Sequence, residues 1–190
     1  MEIMKSAIFL ILAVVAVAGC VGQLPSGTGT DQPTGGEIGG ESPQTAPDYK
    51  EFELRDVSSG ELFKLSDFEG KVVVLETFAV WCPLCLEQQR HIEQAEQQLA
   101  SDDVISVSLD IDPNEDEARV RGHLERNGFG WRFAVAPREL SRALSDAFGA
   151  NVLNPPSTPV IIIDRNGDSH LLRYGIKSAA DIVSEVSKYL

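Results

Sequence analysis

The stretch that decides the fold is Lys71-Val-Val-Val-Leu-Glu-Thr-Phe-Ala-Val-Trp-Cys-Pro-Leu-Cys85. Its first half is rich in β-branched and aromatic residues, with apolar side chains on both faces, the pattern of a strand inside a sheet. Cys82 and Cys85 follow directly. Pro83 opens a helix that Leu86, Ile92, Ala95 and Leu99 carry to about residue 99. This spacing sets the first thiol at the helix N-terminus and the second one turn inside, close enough for a small disulfide ring. Free N–H groups and the helix dipole lower the Cys82 pKa and make it the attacking sulfur, with Cys85 as the resolving thiol.

Outward from this junction, residues 51–55 and 61–64 read as short strands around the Val57-Ser-Ser-Gly60 turn. Residues 104–109 read as a second buried strand. Asp112-Pro113 reads as the cap and first residue of a helix to about Asn127, which Gly128 stops. A short strand at 131–135, a helix at 140–148 ending on Gly149, and an edge or near-edge strand at 160–163 follow. Asp164-Arg-Asn-Gly167 is a turn, 169–173 its hairpin partner, and 179–190 a closing helix. Strands separated by helices predict an α/β fold, a central mixed sheet flanked by helices.

The 190 residues carry 16 basic and 29 acidic side chains, a formal charge of -13. No basic stripe exists to neutralise phosphates, which excludes nucleic acid as a partner. Three cysteines and three histidines exclude a disulfide-rich scaffold or a multi-zinc protein. Residues 1–19 read as a secretory leader, with Lys5 before a 12-residue apolar run from Ala7 to Ala18 that is short for a membrane span. Val17-Ala18-Gly19-Cys20 resembles a lipobox, which makes Cys20 a lipidation site and takes it out of the redox count. Residues 20–47 then form a linker; from Val21 on it holds seven Gly, four Pro and six Ser or Thr and no Lys or Arg. The folded domain is residues 48–190.

A CxxC pair can also be half a zinc site, but the other half is missing. His91 sits on the same helix, and neither His123 nor His170 follows a second-ligand spacing. A purely structural disulfide would constrain very little chain. Glu76 is the other unusual residue, since a carboxylate within an apolar strand is costly unless paired, hydrated or used. Alternation puts it on the face of Val72, Val74 and Phe78. If the Cys85 helix covers that face, the carboxyl can take or return the resolving thiol's proton; alternation also leaves a surface-facing Glu76 open.

The segment from Val74 to Cys85 resembles the active-site region of thioredoxin-like proteins, most closely the membrane-tethered thiol–disulfide oxidoreductases of the TlpA/ResA type, with a redoxin-type domain. The resemblance covers residues 48–190. It implies a thioredoxin-like fold with an N-terminal strand pair and an inserted helical segment near residues 112–134. It implies Cys82 as nucleophile, Cys85 as resolving thiol, Glu76 as the buried acid, and Trp81 packed beside them. It also implies that Ser157-Thr-Pro-Val160 is the loop whose proline, Pro159, is cis and presents the Thr158 backbone to a substrate. No organic cofactor and no metal are implied. The expected partners are protein thiol or disulfide clients, such as secreted proteins or apocytochrome c, and a membrane redox protein. The expected form is an extracytoplasmic, lipid-anchored monomer. One departure matters: these relatives commonly place proline before the second cysteine, where this chain has Leu84, so the direction of electron flow is not carried over. Two other readings remain. A thiol peroxidase would want threonine or serine where Ala79 stands, and a metal-binding or adaptor module would want CxxxC spacing and a distant histidine.

Overall fold

The computed structural model describes residues 48–190; the leader (1–19), Cys20 and the linker to residue 47 lie outside them. The order of elements is β1 (Leu54–Arg55), β2 (Leu62–Phe63), β3 (Val72–Phe78), α1 (Pro83–Leu99), β4 (Val104–Asp110), α2 (Glu117–Asn127), β5 (Arg132–Val135), α3 (Arg138–Phe148), β6 (Val160–Ile163), β7 (Ser169–Leu171) and α4 (Ala179–Val186). The main sheet runs β5-β4-β3-β6-β7, with β3 central. β3, β4 and β5 are parallel, and β6 and β7 are antiparallel to their neighbours, so the sheet is mixed. β1 and β2 pair separately and tie to β5 through the Val57 N–H, which donates to the Phe133 carbonyl at 2.8 Å.

All seven residues of β3 are buried, as a strand covered on both faces requires. Val72, Val74 and Phe78 pack with Ile92 and Ala95 of α1, Val120 of α2 and Ile182 and Val186 of α4. Val73 and Leu75 pack on the opposite side with Leu140 and Leu144 of α3. Thr77 shares that side and donates its hydroxyl to the Val152 carbonyl at 2.6 Å. Full burial of each of these aliphatic and aromatic side chains contributes about 1.5–3 kcal/mol, so two apolar layers fix the height of β3 and of the loop that leaves it.

The architecture matches the expected α/β fold, with local corrections. α2 starts at Glu117 with Asp116 as its cap, the Asp116 carboxylate accepting the Arg119 N–H at 2.8 Å. At Asp112-Pro113 only a turn forms: the Asp112 carboxylate accepts the Asn114 N–H (2.9 Å) and the Trp81 indole N–H (2.6 Å), and the Glu115 N–H donates to the Asp112 carbonyl (3.1 Å). The first expected strand is cut to two residues, since Tyr49–Glu51 is a 3-10 turn capped by Asp48. α4 ends at Val186, four residues earlier than its apolar pattern extends. Among the described residues no helix is long and apolar enough to cross a membrane.

Candidate active site

α1 begins at the cysteine pair. Cys82 is its N-cap, with extended backbone, and its Sγ accepts the Cys85 N–H at 3.1 Å; Pro83 fills the first helical position, where an N–H is not needed. Cys82 and Cys85 form a disulfide with Cα atoms 5.3 Å apart. When that bond opens, the N–H already aimed at Cys82 Sγ and the positive end of a 17-residue helix favour a thiolate there. Cys85 Sγ lies 3.2 Å from the Pro155 carbonyl oxygen.

The loop entering the pair is pinned by the turn between β4 and α2. The Val80 N–H donates to Glu115 Oε2 at 2.6 Å, and the Trp81 indole donates to Asp112 Oδ2. Trp81 itself stands half exposed in front of the disulfide. Asp110, at the end of β4, is fully buried; burial pushes its carboxyl up to about 7, and the neighbouring Glu115 and Asp112 act in the same direction.

Glu76 lies under α1, wholly buried. The register pairs it with Ser108 of β4 on one side and Val160 of β6 on the other. Its Oε2 accepts from Ser108 Oγ at 2.8 Å and from Gln89 Nε2 at 3.1 Å, while Oε1 has no partner. Two further residues extend the network: the Trp131 indole donates to Ser108 Oγ at 2.9 Å, and His123 Nε2 lies 2.7 Å from Gln89 Oε1. A Gln oxygen only accepts, so His123 carries its proton on Nε2. Burial, helped by the Arg126 and Arg90 charges, holds the His123 pKa down at about 4, so the ring is neutral. Burial pushes Glu76 up to about 8, against the pull of Ser108, Gln89 and the Lys177 charge. Below that pH the residue is a neutral acid. Because Oε2 already takes two donors, the proton resides on Oε1. Gln89 sits four residues after Cys85 and shares its helix face, so the acid lies one turn along α1 from the second sulfur.

A lysine closes the other side. Lys177 is only 1% exposed, and its Nζ donates to the Thr158 carbonyl. Gln88 clasps its backbone, donating to the Lys177 carbonyl at 3.1 Å and accepting the Lys177 N–H at 2.7 Å. Burial holds the Lys177 pKa down at about 8 despite the attraction of Glu76. Thr158 is wholly buried; its N–H donates to the Pro155 carbonyl at 2.8 Å and its hydroxyl has no partner. Its φ of 45° is left-handed, a strained conformation for a β-branched residue. In this state the Thr158 backbone therefore faces inward, with both its polar groups bonded inside the protein. Pro159 is buried behind it, its carbonyl accepting the Thr77 N–H at 3.3 Å.

A family profile, Redoxin, matches residues 41–186. The chain belongs to the Redoxin family. Among solved structures it is similar to a thiol:disulfide interchange protein of the thioredoxin family from Chlorobium tepidum (24% identity, 73% of this chain and 92% of that one, TM-score 0.61). It is also similar to a secreted Mycobacterium tuberculosis disulfide oxidoreductase homologous to E. coli DsbE (16% identity, 74% and 97% covered, TM-score 0.56). A third is a DsbF homologue from Corynebacterium diphtheriae (16% identity, 72% and 83% covered, TM-score 0.58). These likenesses carry the thioredoxin-like fold. No curated protein matches the sequence. A redoxin with this fold and a paired CxxC is an oxidoreductase of the thiol–disulfide class.

The structure gathers Cys82, Cys85, Glu76, Trp81, Thr158 and Pro159 at one end of the sheet. Gln88, which the sequence gives no reason to place inside, is fully buried, and its amide holds the Lys177 backbone. Sequence reasoning missed Gln89, Ser108, His123 and Lys177. Gln89 had a usable signal, being polar on the Cys85 face of α1; Lys177, in a polar stretch before α4, had none.

Proposed function

We propose that this redoxin is an extracytoplasmic, lipid-anchored oxidoreductase that exchanges disulfides with protein clients through Cys82 and Cys85. The carrying observation is the Cys82–Cys85 bond at the start of α1 above a fully buried, protonatable Glu76. In the reducing direction the Cys82 thiolate attacks a client disulfide; a bond forms between Cys82 Sγ and one client sulfur, and the other client sulfur leaves and takes a proton. Cys85 then gives its proton to the Glu76 carboxylate and attacks Cys82 Sγ. The Cys82–Cys85 bond forms, the second client sulfur leaves as a thiolate and is protonated, and two electrons have passed to the client. The oxidising direction is the reverse, with Glu76 returning the proton to Cys85. Trp81 supplies an apolar wall beside the sulfurs. The Thr158–Pro159 turn backs them, and Thr158 would engage a client backbone only after release from Lys177.

Cys20 provides the lipid anchor, residues 20–47 the tether, and a membrane redox protein resets the pair; the leader-like N-terminus supports this placement. Cys82→Ser should abolish exchange with a model disulfide while keeping the fold. Cys85→Ser should accumulate a mixed disulfide, read as the added client mass on the intact protein. Exchange that survives Cys82→Ser, after Cys20 is blocked, would overturn the assignment. The equilibrium potential of the pair decides direction: near about -270 mV it works as a reductant, near about -120 mV as an oxidant.

A further inference from the structure

A groove opens beside the disulfide, between the start of α1 and the C-terminal half of α2. Trp81, Cys82, Pro83 and Leu86 line one side, and His123 and Arg126 the other. On the other side of the pair, Cys85 Sγ contacts the Pro155 carbonyl, and Lys177 holds the Thr158 carbonyl inside the protein. Cys82, almost wholly buried, borders this groove. With His123 held neutral, Arg126 is the one formally charged residue of its lining, on a chain whose net charge is -13.

Arg126 is exposed and takes part in no ion pair among the described residues, whereas its neighbour Arg90 is held by Glu93 and the Asn127 carbonyl. Its position is also provided for by the helix. Four residues back is Gly122, and a Cβ there would come within 2.9 Å of Arg126 Nη1, so the guanidinium lies against α2 where any other residue would push it off. A glycine inside a helix costs stability, and here it leaves room for a cation at the groove that Cys82 borders.

Resting on the oxidoreductase reading above, we infer that the groove takes an extended client segment that carries an acidic side chain within two or three residues of its reacting cysteine. The carboxylate meets Arg126 while an apolar neighbour packs on Trp81 and Leu86. Such a client is selected locally, against the repulsion that the acidic surface imposes at long range. Arg126 is thus a specificity-determining residue and does not touch the reacting sulfurs.

The test uses the purified full chain, with Cys82→Ser as the blank for Cys20. Exchange rates are measured with two synthetic disulfide peptides that differ only in Asp or Lys next to the cysteine. At low salt the acidic peptide should react about two- to fivefold faster, a preference that fades in about 0.5 M salt. Arg126→Glu should invert the order. Gly122→Ala, which displaces the guanidinium and removes a mid-helix glycine, should narrow it and guard against a folding defect in the first variant. A preference for the basic peptide in the wild type, or a ratio that Arg126→Glu leaves unchanged, overturns the inference. Failure of both peptides to react above the blank would instead overturn the oxidoreductase reading itself.

Discussion

Replacing Glu76 by Gln separates the cost of burying this acid from everything else at the site. Burial raises the carboxyl from its ordinary 4.5 to about 8. Between those values the folded protein holds a proton that the unfolded chain has released, so stability falls as pH rises, by about 1.4 kcal/mol per pH unit. From pH 5 to pH 8 the loss is on the order of 4 kcal/mol, fully present only once the pH reaches the folded value. The glutamine side chain cannot ionise. Its amide oxygen still accepts from Ser108 and Gln89, so at pH 5 the two proteins should be close in stability. Asp110, raised to about 7, and His123, lowered to about 4, titrate in both proteins and cancel in the difference. Lys177 is held up partly by the Glu76 charge, so the comparison is made in the Lys177→Met background, where the window from pH 5 to 8 reports Glu76 alone. Urea unfolding of both oxidised proteins across that window should show Glu76→Gln gaining steadily with pH. A difference that stays flat within about 0.5 kcal/mol would mean that Glu76 is ionised throughout in the folded state, and the proton-transfer role assigned to it would fall.

Lys177→Met removes the ammonium that favours the Glu76 carboxylate, so the pH at which exchange accelerates should move above its wild-type position near 8; a pH–rate profile with an unmoved midpoint would show that Lys177 acts only as packing. Gly149 ends α3 at φ 84° and ψ 159°, a region open to glycine almost alone, with no atom near the place a Cβ would occupy. Gly149→Ala should therefore cost about 1–3 kcal/mol through backbone strain, read by urea melts, with exchange rates unaffected. A neutral melt would place that loop in an alternative conformation.

The parts of the molecule governed by local patterns were legible in the sequence. β3 is an unbroken apolar run, α1 starts where Pro83 follows a capping residue, and Gly128 and Gly149 stop their helices as their left-handed φ angles require. Glu76 was half legible: alternation set it with Val72, Val74 and Phe78, and the structure shows that α1 covers that face. What was not legible depends on partners distant in sequence. Asp112 and Asp116 are equally good caps locally and both accept a backbone N–H; the extra tie of Asp112 to Trp81, 31 residues earlier, is invisible in the local pattern. Lys177 reads as a surface lysine in its own stretch. Only its tie to Thr158, 19 residues away, and the Gln88 clasp, 89 residues away, bring it inside.

Several residues left over by ordinary folding logic belong to the site around Glu76 and Thr158. Buried polar atoms without partners are uncommon in folded proteins, since each costs about 1–3 kcal/mol. Glu76 Oε1, Asp110 Oδ2 and Thr158 Oγ1 are three of the seven such atoms among the described residues, the others being on His91, Ser106, Glu115 and Arg165. Thr158 adds a left-handed backbone, and Lys177 a buried ammonium beside a buried acid. A scaffold selected only for stability would replace each of these with an apolar residue or a satisfied one, as the opposite side of the sheet does around Leu75, Ile161 and Leu144. Their persistence together is explained if the site must hold a proton at Glu76 with Lys177 and Thr158 fixed beside it. A proton acceptor beside the resolving thiol serves thiol–disulfide exchange, whereas a structural disulfide at the same position would have no use for one.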